Sequence, residues 1–149
     1  LNFTVEESCG QCAPCRVGLK RMSEVLERIT KGKGTEENIE FLKDMGVTIQ
    51  DSSLCGLGKS AVNPVLTTLK YFPGEYQAHI KDKFCPAGVC TELLKFEVVE
   101  NKCTKCGKCF TVCPSGAVTW KKKETARIYL GKCIKCRECF NACDYKAIR

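Results

Sequence analysis

Fourteen cysteines fall within 149 residues, and eight of them repeat one tight spacing. Cys103, Cys106, Cys109 and Cys113 are spaced C-x2-C-x2-C-x3-C, and Cys133, Cys136, Cys139 and Cys143 repeat that run thirty residues later. Sulfur this dense binds either sulfur or metal. A disulfide scaffold belongs to small secreted domains, yet no apolar signal segment opens this chain. Cysteines two residues apart also pair poorly with one another. Zinc is the stronger rival, but a zinc ribbon separates its two C-x2-C knuckles by about 15–20 residues. One tetrahedral ion cannot easily use so crowded a set. A cubane of iron and sulfide offers four iron corners, and this run suits it. The chemistry that follows is the transfer of single electrons.

The elements around these cysteines repeat as well. Lys102-Cys103 matches Lys132-Cys133, Lys105-Cys106 matches Lys135-Cys136, and Cys109-Phe110 matches Cys139-Phe140. Val98 falls on Ile128, and Ala117-Val118 on Ala147-Ile148. Each half reads as a short β-branched strand, a cysteine loop, a short helix and a second short strand. Neither half is large enough to bury a core alone. The pattern resembles a bacterial-type ferredoxin with two [4Fe–4S] clusters, in which the fourth cysteine of each run ligates the other cluster. That resemblance implies one cluster on Cys103, Cys106, Cys109 and Cys143, and another on Cys133, Cys136, Cys139 and Cys113. Pro114 follows Cys113 as the pattern expects, whereas Asp144 follows Cys143. A carboxylate there is expected to lower the potential of its cluster.

The first half of the chain differs in kind. Cys9, Cys12 and Cys15 form C-x2-C-x2-C, and the nearest further cysteine is Cys55. Helical patterns lie between them and must bring Cys55 back. Leu19, Met22, Val25, Leu26 and Ile29 recur at helical spacing across 16–30, and Gly32 and Gly34 stop that helix. Thr35 is the N-cap of the next, whose apolar Ile39, Leu42 and Met45 precede Gly46. A third helix is expected over 60–69, bent or restarted at Pro64, and a short fourth over 75–81. The expectation is a small helical bundle that presents one cluster.

Glu7-Ser8-Cys9-Gly10-x-Cys12-x-Pro14-Cys15-Arg16-x-Gly18, followed by Ser53-Leu54-Cys55-x-Leu57-Gly58, resembles the C-terminal cluster domain of the NADH-oxidising flavoprotein subunit of respiratory complex I. The resemblance implies a [4Fe–4S] cluster on Cys9, Cys12, Cys15 and Cys55, fed one electron at a time by flavin mononucleotide on preceding domains. Leu1 is not a natural start, so the chain is expected to be part of a longer polypeptide that carries the FMN and NAD(P) sites. A bundle followed by a ferredoxin is similar to the flavoprotein (beta) subunit of NAD(P)-linked, electron-bifurcating multimeric [FeFe] hydrogenases. This resemblance implies a catalytic hydrogenase subunit and a [2Fe–2S] thioredoxin-like subunit as partners, with ferredoxin as a further one. NAD-dependent formate dehydrogenase subunits share much of the plan and stand as the alternative.

With four cysteines assigned to the bundle and eight to the ferredoxin, Cys85 and Cys90 remain. The single histidine, His79, lies just upstream, giving H-x5-C-x4-C beside Pro86 and Gly88. Two spare thiols and an ordinary histidine are the plain reading. The convergence of both rare residue types favours a structural zinc ion on His79, Cys85 and Cys90, with Glu75, Asp82 or water as the fourth ligand. Such an ion would fix the shape of a segment with little apolar sequence.

The expected organisation is therefore α plus small α+β. A helical-bundle iron–sulfur domain occupies 1–82, a linker with the zinc site 83–95, and a 2[4Fe–4S] ferredoxin-like domain 96–149. Gly56-Leu57-Gly58-Lys59-Ser60 imitates the end of a phosphate-binding loop, but Ser53 stands where the first glycine is needed and no strand precedes it. These glycines are expected instead to let backbone N–H groups approach sulfur beside Cys55. No catalytic residue set stands out.

The formal charge of +7 is compatible with nucleic acid or an acidic partner. Each loaded cluster carries about −2, so three of them bring the total near +1. Lys121-Lys122-Lys123 reads as an exposed hairpin tip. A zinc-dependent nucleic-acid binder is the rival of another class. It is disfavoured by the tight cysteine runs and by few aromatics in the basic segments. A scaffold whose clusters only hold it together is a second rival. No stretch is apolar for long enough to span a membrane. Reduced cysteines without a signal segment point to the cytoplasm of an anaerobe.

Overall fold

The computed structural model describes residues 1–149. The chain divides into two compact units, Leu1–Leu93 and Leu94–Arg149. No helix in it is long and apolar enough to cross a membrane.

The first unit is helical. Its elements are α1 (Asn2–Glu6), α2 (Leu19–Thr30), α3 (Glu36–Ser52), α4 (Gly56–Ala61), α5 (Asn63–Tyr71) and α6 (Pro73–Gln77). Two single π-helical turns, Pro14–Gly18 and Ala78–Asp82, lead into α2 and continue α6. The helical spacing read across 16–30 thus resolves into a wide turn and then a regular helix. Leu19, Met22, Leu42, Ile49 and Val62 are fully buried and tie α2, α3 and α5 together. Each such side chain contributes roughly 1.5–3 kcal/mol by burial. At the start of α3 the Thr35 N–H donates to Asn38 Oδ1 at 3.0 Å, which satisfies a donor at the predicted N-cap.

The helix opened by Thr35 runs past Gly46 to Ser52. Gly46 serves packing rather than termination, because a Cβ on it would lie 2.7 Å from Leu66 Cδ2. The single helix expected over 60–69 is two, and Pro64 lies in the first turn of α5, where a missing N–H costs nothing. Residues 83–93 pack within this unit. Lys83 Nζ donates to Gly34 O at 3.2 Å, and Leu93, buried, fills the space a Cβ on Gly32 would take.

The second unit is built from two similar halves. Strand β1 (Val118–Thr119) pairs antiparallel with β2 (Arg127–Ile128) in the register Val118↔Ile128. Their connection carries the exposed Lys121, Lys122 and Lys123. An isolated antiparallel bridge joins Val98 to Ile148, flanked by Val99 N–H to Ala147 O at 2.7 Å. Short helices α7 (Lys108–Thr111) and α8 (Glu138–Asn141) follow the two cysteine loops. The apolar core is small: Phe96, Val118, Ala126, Cys139 and Ile148. The halves share backbone more closely than sequence. Lys105 (φ 61°) matches Lys135 (58°), Gly107 (79°) matches Arg137 (68°), and Gly116 (60°) matches Lys146 (47°).

Candidate cluster and metal sites

Three elements converge on the first site. Cys9 and Cys12 lie on the loop after α1, Cys15 on the first wide turn, and Cys55 at the N-cap of α4. All four line one hollow together with Ser8, Ser53 and Leu57. Cys15 is buried, whereas Cys9 and Cys55 are exposed. Backbone N–H groups of Gly58 and Leu57 donate to Cys55 sulfur and hold its thiol below the usual range. Donors aimed at a sulfur favour the thiolate that metal requires. Ser8 Oγ accepts from Gly10 N–H at 3.3 Å, which leaves its own hydrogen for Cys15 Sγ, also at 3.3 Å. Gly58 is close-packed, since a Cβ there would stand 2.6 Å from Ser53 Oγ and 3.5 Å from Cys15 Cβ.

In the second unit the cysteines group across the repeat. Cys143 of the second run lines a hollow with Cys103, Cys106 and Cys109 of the first. Burial raises the Cys109 thiol, and thiolates at Cys103 and Cys106 add to it. The Cys139 thiol is pushed up to about 11 by burial and then by Cys133, Cys113 and Cys136. Cys113 of the first run therefore sits within electrostatic reach of the second. Burial would raise Cys113 too. The Ser115 hydroxyl and the N–H groups of Val118, Ala117 and Ser115 outweigh it and lower its pKa. Thiols that repel one another as anions and sit among N–H donors are a donor set that a cationic iron core would complete.

Trp120 covers the first loop. Its Nε1–H donates to Lys105 O at 3.1 Å, and its ring stands 2.9 Å from where a Cβ on Gly107 would be. Asp144 does not face its cluster cysteines as an unmatched charge. Lys108 Nζ lies 3.0 and 3.2 Å from its two carboxylate oxygens. The cation stands one residue from Cys109 and the anion one residue from Cys143.

The third grouping brings His79, Cys85 and Cys90 together, with ligand atoms all within 4.8 Å of one another. His79 lies on the wide turn after α6 and is nearly buried, as is Cys85. His79 Nδ1–H donates to Glu75 O at 2.7 Å, which turns Nε2 toward Cys90 Sγ at 3.3 Å. A carbonyl behind a histidine is the usual way to fix the tautomer of a metal ligand. Tetrahedral zinc would set that N···S edge at about 3.5 Å. Glu75 acts through its backbone oxygen, and neither its carboxylate nor that of Asp82 joins the three ligand atoms. Burial opposes the Cys85 thiolate. Hydrogen bonds from the Cys90 and Val89 N–H groups and the Cys90 thiol overcome it and bring the pKa to about 7. Cys90 is pushed up to about 11 by burial and then by Cys85.

Sequence reasoning singled out every one of these cysteines and His79. It gave no supporting role to Ser8, Ser53, Ser115 or Trp120. Only the Ser-x-Cys spacing of Ser53-Leu54-Cys55 and the exceptional Trp120 offered a signal. It also treated charge as a whole-chain quantity. Leu94–Arg149 holds 13 Lys and Arg against 5 Asp and Glu, a formal +8, whereas Leu1–Leu93 holds 11 against 12, a formal −1.

Comparison with known proteins matches residues 1–79 to the NADH-ubiquinone oxidoreductase-F iron–sulfur binding region and residues 102–148 to a 4Fe–4S dicluster domain. The chain is 50% identical over 124 residues to HndC of the NADP-reducing hydrogenase of Solidesulfovibrio fructosivorans, covering 83% of this chain and 25% of that one. It is 40% identical over 84 residues to the F component of the NADH-quinone oxidoreductase of Mycobacterium bovis, covering 56% and 19%. It is 39% identical over 77 residues to the alpha component of the NAD-reducing hydrogenase HoxS of Cupriavidus necator, covering 52% and 13%. The chain thus spans about a quarter or less of the length of these relatives.

Proposed function

The chain belongs to the family of NADH-ubiquinone oxidoreductase-F iron–sulfur binding regions, and from that premise we propose that it is the electron-transfer part of a flavin-containing NAD(P)-linked hydrogenase subunit. Its electrons come from FMN and NAD(P) sites elsewhere in the longer polypeptide. They leave toward a catalytic hydrogenase subunit, a [2Fe–2S] thioredoxin-like subunit or ferredoxin, in an enzyme that bifurcates electrons. The observation that carries this reading is the convergence of three cysteine quartets in a family member that also has a dicluster domain. The 50% identity to a component of an NADP-reducing hydrogenase, extending past the bundle, favours hydrogenase over formate dehydrogenase or complex I.

In this reading [4Fe–4S] clusters supply reversible one-electron storage. Cys9, Cys12, Cys15 and Cys55 hold the first, Cys103, Cys106, Cys109 and Cys143 the second, and Cys133, Cys136, Cys139 and Cys113 the third. The chain's own part is to bind, to place N–H and hydroxyl donors near sulfur, and to keep some ligands away from water. His79, Cys85 and Cys90 hold one zinc ion within the 83–95 segment and its approach. Its role is to fix that segment, with no chemistry of its own. The second unit keeps a charge of about +4 after two clusters of about −2 each, which suits an acidic redox partner rather than a merely balanced surface.

Metal content of the anaerobically purified protein tests the reading, with about 12 iron and 1 zinc per chain expected. Iron near zero with several zinc ions per chain would overturn it and promote the nucleic-acid-binding alternative. Clusters that stay oxidised while the full-length enzyme turns over NADH would instead leave a scaffold. In the assembled enzyme, hydrogen-dependent NAD(P)+ reduction that stops without oxidised ferredoxin marks bifurcation.

A further inference from the structure

Ser53 stands apart from every other side chain in the molecule. It is 3% exposed, and its Oγ is a fully buried side-chain oxygen without a hydrogen-bond partner. A buried hydroxyl left unpaired is costly, and native chains keep one where something completes it. Ser53 lines the hollow it shares with Cys9, Cys12, Cys15 and Cys55. Its backbone is pinned at the C-cap of α3, where Ser53 N–H donates to Ile49 O at 3.0 Å. Gly58 closes in from α4, since a Cβ there would sit 2.6 Å from both Ser53 Cβ and Oγ. The absent side chain at Gly58 is what gives the hydroxyl its place. Ser8, the other hydroxyl of the hollow, differs because it already bonds Cys15 Sγ.

We infer that Ser53 donates its hydroxyl hydrogen to a sulfur of the cluster held by Cys9, Cys12, Cys15 and Cys55, and thereby raises that cluster's reduction potential. This rests on the cluster assignment proposed above and goes beyond it. The added electron places negative charge on the cluster and its sulfurs. An O–H aimed at sulfur stabilises that charge, and its proton stays on oxygen. Ser53 is a positioning and tuning residue for single-electron entry. It is not a ligand.

The test is an EPR-monitored redox titration of the full-length, iron-loaded protein and its Ser53→Ala variant. The signal of this cluster is identified as the one that Cys55→Ser abolishes. The expected result is unchanged iron content and a reduced-to-oxidised ratio about tenfold lower at a given potential, a shift of ~59 mV downward for one electron. After exchange into D2O, pulsed ENDOR is expected to show a coupled deuteron in the wild type that Ser53→Ala lacks. The signals of the other two clusters stay where they were. An unmoved or raised potential with full iron would overturn the inference and leave the cluster assignment intact. Loss of iron from the variant would overturn it too, making Ser53 a structural support. A Cys55→Ser protein that keeps the wild-type iron content and all of its EPR signals unchanged would overturn the assignment itself, and the inference with it.

Discussion

The proposed zinc site yields a number that can be checked without assaying the enzyme. Metal binds thiolates, so each thiol that is still protonated must release its proton on binding. Cys85 has a pKa of about 7 and Cys90 of about 11. At pH 7 the first is half ionised and the second is fully protonated, so zinc binding should release about 1.5 protons. The sign follows directly: protons compete with metal, and affinity rises with pH. From pH 7 to pH 8 the dissociation constant should fall ~20-fold, and from pH 7 to pH 6 it should rise ~50-fold, before any contribution from the imidazole. The assay is calorimetry in buffers of different ionisation enthalpy, on iron-loaded protein stripped of zinc by chelation. Cys90→Ser should cut the release at pH 7 to about 0.5 protons, and Cys85→Ser should leave about 1. Heat that does not depend on the buffer, or an affinity flat between pH 6 and pH 8, would refute the reasoning.

Four further outcomes are expected. Asp144→Asn leaves Lys108 unmatched beside Cys109 and should raise the potential of that cluster. Lys108→Met should lower it, each shift being on the order of 50 mV and read by EPR titration. Gly107→Ala forces a left-handed residue against the Trp120 ring and should destabilise the loaded second unit by about 2–3 kcal/mol in thermal melts, whereas Arg137→Gly at the matching position should be neutral or stabilising. Gly46→Ala puts a methyl 2.7 Å from Leu66 and should cost about 1–3 kcal/mol in chemical denaturation. Reduction of an acidic acceptor protein by the second unit should slow steeply with added salt, as its formal +8 implies, and a rate indifferent to ionic strength would count against that docking.

The cysteine groupings were legible in the sequence because metal chemistry fixes residue type and spacing together, as in the two runs around Cys103 and Cys133. The helices were legible where caps and periodicity agreed, as at Thr35 and across Leu19–Ile29. Gly46 was uninformative because a glycine that ends a helix and one that admits a neighbouring leucine look the same in one dimension. Pro64 was ambiguous for a similar reason: bend and restart differ only in the hydrogen bonds around it. Ser53 and Gly58 could not be paired from sequence, since their contact depends on how α3 meets α4. The Lys108–Asp144 ion pair spans 36 residues and exists only because the two halves fold onto each other.

Every non-glycine residue with a left-handed backbone in this chain is a lysine or arginine, and five of the six fall in the second unit: Lys105, Lys123, Lys135, Arg137 and Lys146. Each such turn costs on the order of 1 kcal/mol, in a unit whose buried apolar core is five residues. Lys105, Lys135 and Arg137 lie within the cysteine loops, so the proposed clusters would help to hold that strain. In the proposed reading, folding of this unit and acquisition of iron would be coupled. Iron supply would set how long the polypeptide survives proteolysis in the cell, and a starved cell would clear it before it could leak electrons.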